Sequence, residues 1–497
     1  MTAKKIYITT AIPYVNAAPH IGHALEFVQA DVIARYHRLL GDDVLLLSGG
    51  DENALKNVQA AEKAGIPVQK FIDTNAELFR HLADKLNVQF DVFQKGSDQA
   101  HHYPSSQKLW ELCAKNGAIY KKSYEGLYCV GCEAYYAPDE LNENGECFEH
   151  PGKKLENVSE ENYFFKLSKY QQQLVDLISS DKLKIIPQIR KNEVLSFLKQ
   201  PLQDISISRT NARAKNWGVP VPNDSTQRMY VWFDALNIYQ SGVGFGWDEK
   251  KYQKWWPADV HVIGKGITRF HAIYWPAFLL SAKLKVPKKI FVHEYFTVNG
   301  QKMSKTLGNV IDPIELINKY GVDPLRYYFL AKFSPFNDGD FSEEEFKKTY
   351  NADLANGLGN LVARVAKLCQ QIQQNYTIKS LHNIFSKNQP TKIAFKDYEK
   401  KYLNSLENFK FNEALSSLWS EIGSIDLDIE NIQPWLYEKE TQDKQTSIKA
   451  FLLDTVTRIK DIALYLQPFL PETAAKILDQ FKGPTIQAQP PLFPRLA

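Results

Sequence analysis

The sequence predicts an α/β protein: a doubly wound, Rossmann-type parallel sheet split by an insertion, followed by an all-α helical bundle. Three observations predict this fold. Short apolar strands alternate with amphipathic helices over residues 1–119 and again over residues 230–341. Between them, residues 120–229 contain closely spaced cysteines and no such alternation. Over residues 342–497, strand signals nearly vanish and helical periodicity dominates. Alternating strands and helices are typical of a parallel sheet covered by helices.

Length and composition predict a globular protein of several domains. The chain has 497 residues, of which 44% are hydrophobic and 24% are charged. The net charge is only +3, so any nucleic-acid surface must come from local clusters of Lys and Arg. The N-terminus leads directly into a strand without a signal peptide, and no apolar run is long enough to cross a membrane. We therefore expect a cytoplasmic protein.

The first predicted strand, residues 5–10, leads through a turn into a helix that ends near residue 40. The turn brings His20, Gly22 and His23 to the helix N-terminus, where free N–H groups and the helix dipole favour phosphate. Imidazoles can donate hydrogen bonds to oxyanions. The pair alone fits a helix cap as well as a phosphate site. The helix itself follows from apolar side chains at helical spacing, namely Leu25, Val28, Val32, Tyr36 and Leu39.

A second candidate phosphate site is a basic loop in the later part of the chain. Residues 302–306 read Lys-Met-Ser-Lys-Thr and follow a predicted strand, residues 291–298, and the turn Asn299-Gly300. Two lysines around a small hydroxyl residue suit a mobile clamp on a polyphosphate. Taken alone, a solvated basic loop is the more frequent explanation.

Strand and helix continue to alternate between the first helix and the insertion. A second buried strand, residues 43–48, is followed by Asp51 and by a helix through Ala64. Further helical periodicity covers residues 71–86 and 105–116. In a parallel sheet, ligands bind beyond the carboxyl ends of the strands, where Asp51 lies. An aspartate that caps the next helix is an equally good interpretation.

The spacing of three cysteines and a histidine in the insertion predicts one structural zinc site. Cys129 and Cys132 are followed after fourteen residues by Cys147 and His150, a C-x-x-C…C-x-x-H pattern. Such spacing supplies the tetrahedral ligands that Zn²⁺ prefers, and it leaves no position open for a substrate. Unpaired cysteines beside a chance histidine are the alternative.

After the insertion the sheet resumes and then gives way to the bundle. Residues 230–239 predict a strand-to-helix passage, and residues 260–263 a strand that ends in Gly264-Lys265-Gly266 before a helix over 268–282. Two short helices and a linker at 334–341 follow the lysine loop. The predicted bundle helices cover residues 342–374, 395–424, 430–438, 445–467 and 472–481.

The two phosphate-site candidates together carry a family resemblance. His-Ile-Gly-His at 20–23 and Lys-Met-Ser-Lys at 302–305 resemble the paired motifs of class I aminoacyl-tRNA synthetases. The flanking residues 9–16, Thr-Thr-Ala-Ile-Pro-Tyr-Val-Asn, and 297–300, Thr-Val-Asn-Gly, are similar to the methionyl branch. The resemblance covers nearly all of the chain. It implies activation of L-methionine by ATP, with Mg²⁺, to methionyl-adenylate, and transfer to the 3′ end of tRNA(Met).

The resemblance also implies roles for individual residues. Catalysis would fall to His20, His23, Lys302, Ser304 and Lys305. The methionine pocket would comprise Ile12, Tyr14, Asp51, Trp232, Ala235, Leu236, Tyr239, Ile267 and His271, with Asp51 on the substrate ammonium. ATP would be bound by His20, Gly22, His23, Glu26, Gly264, Phe296, Lys302 and Lys305. The helical bundle would bind the anticodon through Asn360, Arg364 and Trp435.

Three positions depart from the family pattern, and two alternatives stay open. Gly50 and Asn53 stand where the family has Thr and His, and Gly266 stands where it has an acidic residue that contacts ribose. Another class I synthetase, cysteinyl- or leucyl-like, would share both motifs, and a non-catalytic tRNA-binding relative would share the fold. The pocket residues and the intact motifs argue against these alternatives. The short segment after the last predicted helix leads us to expect a monomer without the C-terminal dimer-forming domain of many bacterial relatives.

Overall fold

The architecture is that of a computed structural model, which describes residues 3–129, 134–136, 141–147, 152–301, 303, 309–373, 376 and 396–496. Within these ranges a six-stranded parallel sheet forms the centre of the molecule. An antiparallel insertion interrupts it in sequence, and helices follow it. The predicted α/β core with a helical C-terminal region is confirmed.

The first part of the chain alternates strand and helix as predicted. Its elements are β1 Lys5–Thr9, α1 Ile21–Leu39, β2 Asp43–Gly50, α2 Leu55–Ala64, α3 Val68–Lys85, β3 Val92–Lys95 and α4 His102–Lys115. β1 pairs in parallel with β2, and β2 pairs in parallel with β3. α1 is buried along most of its length because it packs on the sheet and is covered by later helices.

The insertion is mainly antiparallel. Its elements are β4 Ile119–Cys129, β5 Ala134–Tyr136, β6 Glu156–Phe165, α5 Gln171–Ser179, β7 Lys184–Ile186, α6 Gln188–Phe197, β8 Ile205–Ser206, β9 Ser208–Thr210, α7 Asn211–Ala214, β10 Pro220–Val221 and β11 Asp224–Met229. β4 and β6 form a long antiparallel pair that carries Cys129 at its far end. β7 belongs to a different sheet from the strands that precede and follow it in the chain. It joins the edge of the main sheet, beside β13.

The second part of the α/β core completes the sheet. Its elements are α8 Val231–Ala235, α9 Ile238–Ser241, α10 Glu249–Trp255, β12 Val260–Gly264, α11 Trp275–Ser281, β13 Lys289–His293, β14 Phe296–Val298, α12 Pro313–Tyr320, α13 Val322–Lys332 and β15 Gly339–Phe341. A 3₁₀ turn, Lys265–Ile267, and a π turn, Phe270–Tyr274, lead into α11. The single strand predicted at 291–298 is in fact β13 and β14, which are separated by Glu294 and Tyr295.

The strand order fixes where a ligand can bind. The order is β3-β2-β1-β12-β13-β7, so the chain builds outwards in opposite directions from β1 and β12. Open parallel sheets bind ligands at such a reversal, beyond the carboxyl ends of the strands. The loop from β1 to α1 and the turn after β12 both begin at this crevice.

The C-terminal helices pack directly against the sheet. They are α14 Glu343–Thr349, α15 Asn360–Ile372, α16 Asp397–Glu407, α17 Phe411–Ile432, α18 Gln442–Leu466 and α19 Pro471–Gln480, with a π segment Tyr350–Gly359 and a 3₁₀ segment Pro434–Lys439. The helix predicted at 395–424 is divided near Phe409, whose φ of 58° ends the first helix. Phe409 then stacks on Phe291 of β13 at 4.7 Å, and one apolar cluster runs from α1 through the bundle.

A membrane crossing needs a helix that is both long and apolar. Among the ranges described above, no helix meets that requirement.

Candidate active site

His20 and His23 form the N-terminal cap of α1. The backbone N–H of Gly22 donates to His20 Nδ1 at 3.0 Å, and the backbone N–H of His20 donates to His23 Nδ1 at 3.1 Å. Because each Nδ1 accepts a hydrogen bond, each neutral ring carries its own proton on Nε2. Both roles weighed from the sequence, helix cap and oxyanion donor, are therefore compatible in the same side chains.

His23 is held in its neutral form. Burial, together with the neighbouring His20 ring, lowers the pKa of His23 well below its ordinary value. The two ring centroids are 4.0 Å apart, and the Phe79 ring meets His23 edge to face at 5.0 Å. A charged imidazole would be poorly solvated here and would lie at the positive end of the helix dipole. The neutral form that the cap hydrogen bonds require is therefore also the more stable protonation state of His23.

The described part of the lysine loop lies against the first turn of α1. A Cβ added to Gly22 would stand 2.9 Å from His20 Cε1 and 3.8 Å from Met303 Cε. The backbone N–H of Ile21 donates to the carbonyl oxygen of Ile311 at 3.2 Å. Residues within and after the loop therefore meet the histidine cap.

Lys302, Ser304 and Lys305 themselves lie outside the described residues. The stem of their loop is firmly held, since β14 pairs with β15. At the turn that follows β14, the backbone N–H of Gly300 donates to Asp340 Oδ1 at 2.7 Å. The described residues that lead into the loop are thus held by contacts with β15.

An aromatic wall forms beside Asp51. Tyr14 meets Trp232 edge to face at 6.2 Å, and Trp232 meets His271 edge to face at 6.5 Å. Asp51 pairs with Tyr14 in a parallel β-bridge. Trp232 also stacks on Phe270, with the ring centroids 3.7 Å apart. Phe270 directly precedes His271 in the chain, but it was not among the residues predicted from the sequence. The other predicted pocket residues belong to the same apolar cluster, namely Ile12, Ala235, Leu236, Tyr239 and Ile267.

Tyr239 and His271 form a neutral hydrogen-bonded pair at the base of this wall. His271 Nδ1 lies 3.0 Å from the carbonyl oxygen of Ile267, so Nδ1 is the donor and Nε2 accepts from the Tyr239 hydroxyl at 2.8 Å. Burial lowers the pKa of His271 to about 4 and raises the pKa of Tyr239 well above its usual range. The pair therefore carries no charge at neutral pH.

The departure at Asn53 has a structural account. The Asn53 side-chain amide donates to Asp234 Oδ2 at 2.6 Å and to the carbonyl oxygen of Gly96 at 2.8 Å. Burial raises the pKa of Asp234, which lies two residues after Trp232 in α8. Asn53 thus joins the loop that carries Asp51 to the helix that carries Trp232.

Glu26 is held by protein groups on both carboxylate oxygens. The backbone N–H of Ala11 donates to Glu26 Oε1 at 2.9 Å, and His293 Nε2 lies 2.9 Å from Glu26 Oε2. Glu26 therefore joins α1 to the residues that follow β1 and to the end of β13. We expect it to orient the nucleotide crevice through these contacts.

Tyr295 and Phe296, the second of which the resemblance implies in ATP binding, differ in exposure. Phe296 is only 6% exposed, and its ring stacks on Phe333 at 5.2 Å inside the core. Tyr295, which precedes it, is 42% exposed and crosses the backbone at Gly264. The sequence could not distinguish the two neighbours because both are aromatic.

Two of the four predicted zinc ligands are described. Cys129 and Cys147 are buried, and their sulfur atoms lie 3.3 Å apart. Cys132 and His150 lie outside the described residues. Within the part of the chain that the structure describes, no group of three or more His, Cys, Asp or Glu is arranged to hold a metal.

The proposed anticodon residues lie together on the bundle. The Arg364 guanidinium stands 5.1 Å from the centroid of the Trp435 ring, which is 45% exposed. Arg364 also pairs with Glu430 at 2.6 Å. Asn360 begins the same helix, α15, one turn before Arg364.

The sheet reverses direction between β1 and β12, and Met303 lies against the histidine cap of α1. This arrangement defines the class: it is a class I tRNA synthetase fold. The family described as tRNA synthetases class I (M) matches residues 6–366. The chain belongs to this methionyl-tRNA synthetase family.

Individual relatives align with almost the whole length of this chain. The methionine–tRNA ligase of Brucella melitensis is 38% identical over 506 aligned positions, which cover 98% of this chain and 94% of that one. The Thermotoga maritima methionine–tRNA ligase is 39% identical, over 95% of this chain and 74% of that one. The structure of Mycobacterium tuberculosis methionyl-tRNA synthetase in complex with methionyl-adenylate superposes with a TM-score of 0.89 at 35% identity, covering 99% of this chain and 100% of that one.

Proposed function

We propose that this chain is a methionine–tRNA ligase, which activates L-methionine with ATP to methionyl-adenylate and transfers it to the 3′ end of tRNA(Met). One observation carries the proposal. Met303, inside the lysine motif, lies against Gly22, inside the histidine motif, at the point where the sheet reverses direction. This contact supports a site in which two phosphate-binding segments face a single crevice.

In the first step, a methionine carboxylate oxygen attacks the α-phosphorus of ATP. The bond from the α-phosphorus to the oxygen that bridges the α- and β-phosphates breaks, and pyrophosphate leaves. The Nε2–H groups of His20 and His23 donate to phosphate oxygens, and Lys302 and Lys305 stabilise the leaving phosphates, with Ser304 as a further donor. Mg²⁺ carried by ATP would add charge neutralisation. Catalysis is then positioning and charge stabilisation, without a covalent enzyme intermediate.

Methionine recognition relies on an uncharged, aromatic pocket. A thioether is polarizable and packs well against aromatic rings such as Trp232 and Phe270, although it accepts hydrogen bonds only weakly. The neutral pair of Tyr239 and His271 offers no charge to balance that of a lysine or glutamate side chain. Asp51, which is buried, pairs with the substrate ammonium and fixes which end of the amino acid faces ATP.

The insertion holds one structural Zn²⁺ in this proposal. With Zn–S distances of about 2.3 Å, two ligands of a tetrahedral ion lie about 3.8 Å apart. The 3.3 Å separation of the Cys129 and Cys147 sulfurs needs only a small opening to fit that geometry. Cys132 and His150 would supply the other ligands. A filled coordination shell stabilises the insertion and takes no part in the reaction.

The bundle reads the tRNA anticodon through Asn360, Arg364 and Trp435. Unpaired RNA bases stack on exposed aromatic rings and on guanidinium planes, and amides bind their edges. The half-exposed Trp435 beside Arg364 offers such a surface. In the second step, a hydroxyl of the terminal ribose of the tRNA attacks the adenylate carbonyl, and AMP leaves. The resemblance to class I assigns this role to the 2′-hydroxyl.

The test is amino-acid-dependent exchange of pyrophosphate into ATP, run across the twenty amino acids. We expect exchange with methionine alone. Exchange with cysteine or leucine would identify another class I synthetase. The absence of exchange with any amino acid would identify a non-catalytic relative, whose tRNA binding can be measured separately.

A further inference from the structure

The carboxyl end of β12 is crossed by a tyrosine. Gly264, Lys265 and Gly266 follow β12 at the edge where the sheet reverses direction. The Tyr295 hydroxyl accepts a hydrogen bond from the backbone N–H of Gly266 at 2.8 Å. Its ring passes Gly264 so closely that a Cβ added there would stand 3.0 Å from Tyr295 Cε1.

Tyr295 and Gly266 fit each other sterically. A Cβ at position 266 would lie 2.3 Å from the Tyr295 hydroxyl oxygen but 3.5 Å from Tyr295 Cζ. The hydroxyl group alone therefore occupies the space that any side chain at 266 would need. Gly266 is the position at which the family pattern has an acidic residue, so the chain carries a phenol oxygen where that side chain would begin.

The tyrosine is anchored on both sides although it is exposed. Its backbone N–H donates to Asp338 Oδ1 at 3.0 Å, and its carbonyl oxygen accepts from Gly339 N–H at 3.1 Å. Lys265 lies 5.2 Å from the ring centroid and pairs with Asp338 at 2.6 Å and with Glu294 at 2.9 Å. The hydroxyl is thus held at a defined place on the rim of the crevice.

The neighbouring contacts relate this rim to the histidine cap. His293, which ends β13, contacts Glu26 of α1 at 2.9 Å, and a Cβ added to Gly264 would stand 3.5 Å from His293 Cε1. The turn after β12 and α1 therefore line the same crevice. A nucleotide whose phosphates lie at the start of α1 extends across the sheet reversal towards β12. A phenol oxygen can both accept and donate hydrogen bonds, which suits the hydroxyl groups of a sugar.

We propose that the Tyr295 hydroxyl hydrogen-bonds a ribose hydroxyl of ATP and thereby selects ATP over the analogue that lacks this hydroxyl. The proposal rests on the function proposed above, because it takes ATP as the nucleotide. Tyr295 is a specificity-determining residue in this role, and Gly266 is required because the phenol fills its side-chain space.

The first experiment removes one hydroxyl group from the protein, from the nucleotide, or from both. Methionine-dependent pyrophosphate exchange is measured with ATP, 2′-deoxy-ATP and 3′-deoxy-ATP for the wild type and for Tyr295→Phe. One neutral hydrogen bond is worth about 5-fold to 10-fold in kcat/KM. We expect the wild type to have a kcat/KM for one deoxy analogue that is lower than its kcat/KM for ATP by about that factor. Tyr295→Phe should lower kcat/KM for ATP by the same factor and leave kcat/KM for that analogue unchanged. Tyr120→Phe, which removes a distant hydroxyl in the insertion, serves as the matched control.

The outcomes separate this proposal from the proposed function. An equal loss with ATP and both analogues, or no loss at all, would overturn the role of Tyr295 while exchange with methionine upholds the function. If the wild type shows no exchange, calorimetric binding of ATP and the two analogues still tests Tyr295, because binding requires no reaction.

A second pair of variants tests the steric fit. Gly266→Ala drives a methyl group onto the Tyr295 hydroxyl, so we expect the KM for ATP to rise while the KM for methionine stays constant. Tyr295→Phe added to Gly266→Ala removes the clashing atom and should return the KM for ATP to the level of Tyr295→Phe alone. A Gly266→Ala variant with the wild-type KM for ATP would contradict the fit.

Discussion

At the residue scale, the two histidines show how a side chain that caps a helix can also present a fixed hydrogen-bond donor. Each Nδ1 caps α1, which fixes the ring and determines that the proton sits on Nε2. Preorganised donors of this kind stabilise a transition state because they need no reorganisation during the reaction. The spacing His-x-Gly-His places the second ring one turn into the helix, and the glycine leaves room for the first.

Replacing His20 with Asn separates the two roles. Asparagine is a good N-cap residue, so we expect the melting temperature to stay close to that of the wild type. The donor at the former Nε2 position is lost, so pyrophosphate exchange should fall by about 100-fold to 1,000-fold. His20→Ala, the comparison variant, should lose as much activity and also about 1 kcal/mol of stability. Near-normal exchange in His20→Asn would show that the ring serves only as a cap.

The buried His271 predicts a pH dependence of stability. Its folded pKa is lowered to about 4 from an ordinary 6.5, so between these values only the unfolded chain binds the proton. The free energy of unfolding should therefore fall as pH drops from about 6.5 to about 4, by about 3 kcal/mol from this group. His271→Gln can replace both hydrogen bonds without titrating, so its loss over that interval should be smaller. Parallel pH curves from urea denaturation of the two proteins would refute this assignment.

At the element scale, the insertion depends on the pair of β4 and the segment that carries Cys147. The two sulfurs come together although the cysteines lie eighteen positions apart in the chain. A structural metal would fix this contact, because four ligands from two short segments remove most of their freedom to separate.

Cys147→Ser should release zinc from the protein. We expect metal analysis of the purified variant to find less than one zinc per chain, and proteolysis to cleave the insertion faster than in the wild type. Cys113→Ala is a matched control, because Cys113 is a buried thiol outside the proposed site. Burial raises the pKa of Cys113 to about 12, so it remains a thiol. Full zinc occupancy in Cys147→Ser would exclude this cysteine as a ligand.

At the scale of the whole molecule, one buried arginine ties the sheet to the bundle. The Arg326 guanidinium is fully buried and pairs with Asp31 of α1 at 2.7 Å. It also donates to the carbonyl oxygens of Leu86, Pro468 and Phe469, at 3.0, 2.9 and 2.8 Å respectively. The helix after the lysine loop, the histidine-capped helix and the bundle are thus joined by one side chain.

Arg326→Met should destabilise the whole protein, because it leaves the Asp31 carboxylate buried with one partner fewer. Breaking a buried ion pair costs about 3–5 kcal/mol, which urea denaturation followed by tryptophan fluorescence can measure. Asp31→Asn added to Arg326→Met removes the stranded charge and should recover part of that loss. If Arg326→Met unfolds at the wild-type urea concentration, the pair does not join the two regions.

The sequence by itself determined the local elements and the chemistry they carry. Apolar periodicity gave β1, α1 and β2, because burial of one face dictates the spacing of apolar residues along each element. The residues that form the histidine cap were singled out from the chain alone. The pocket residues around Trp232 and His271 were implied by the family resemblance, and their role stays a prediction.

Only the tertiary structure decided which distant elements meet. No local pattern indicates that β7 leaves the insertion for the main sheet, that Asn53 holds Asp234, or that Phe296 is buried while Tyr295 is exposed. The bundle, too, shares its core with the sheet across a boundary that the sequence marks as a linker. The physical reason is that periodicity records whether a side chain is buried, whereas its partner is set by the packing of elements far apart in the chain.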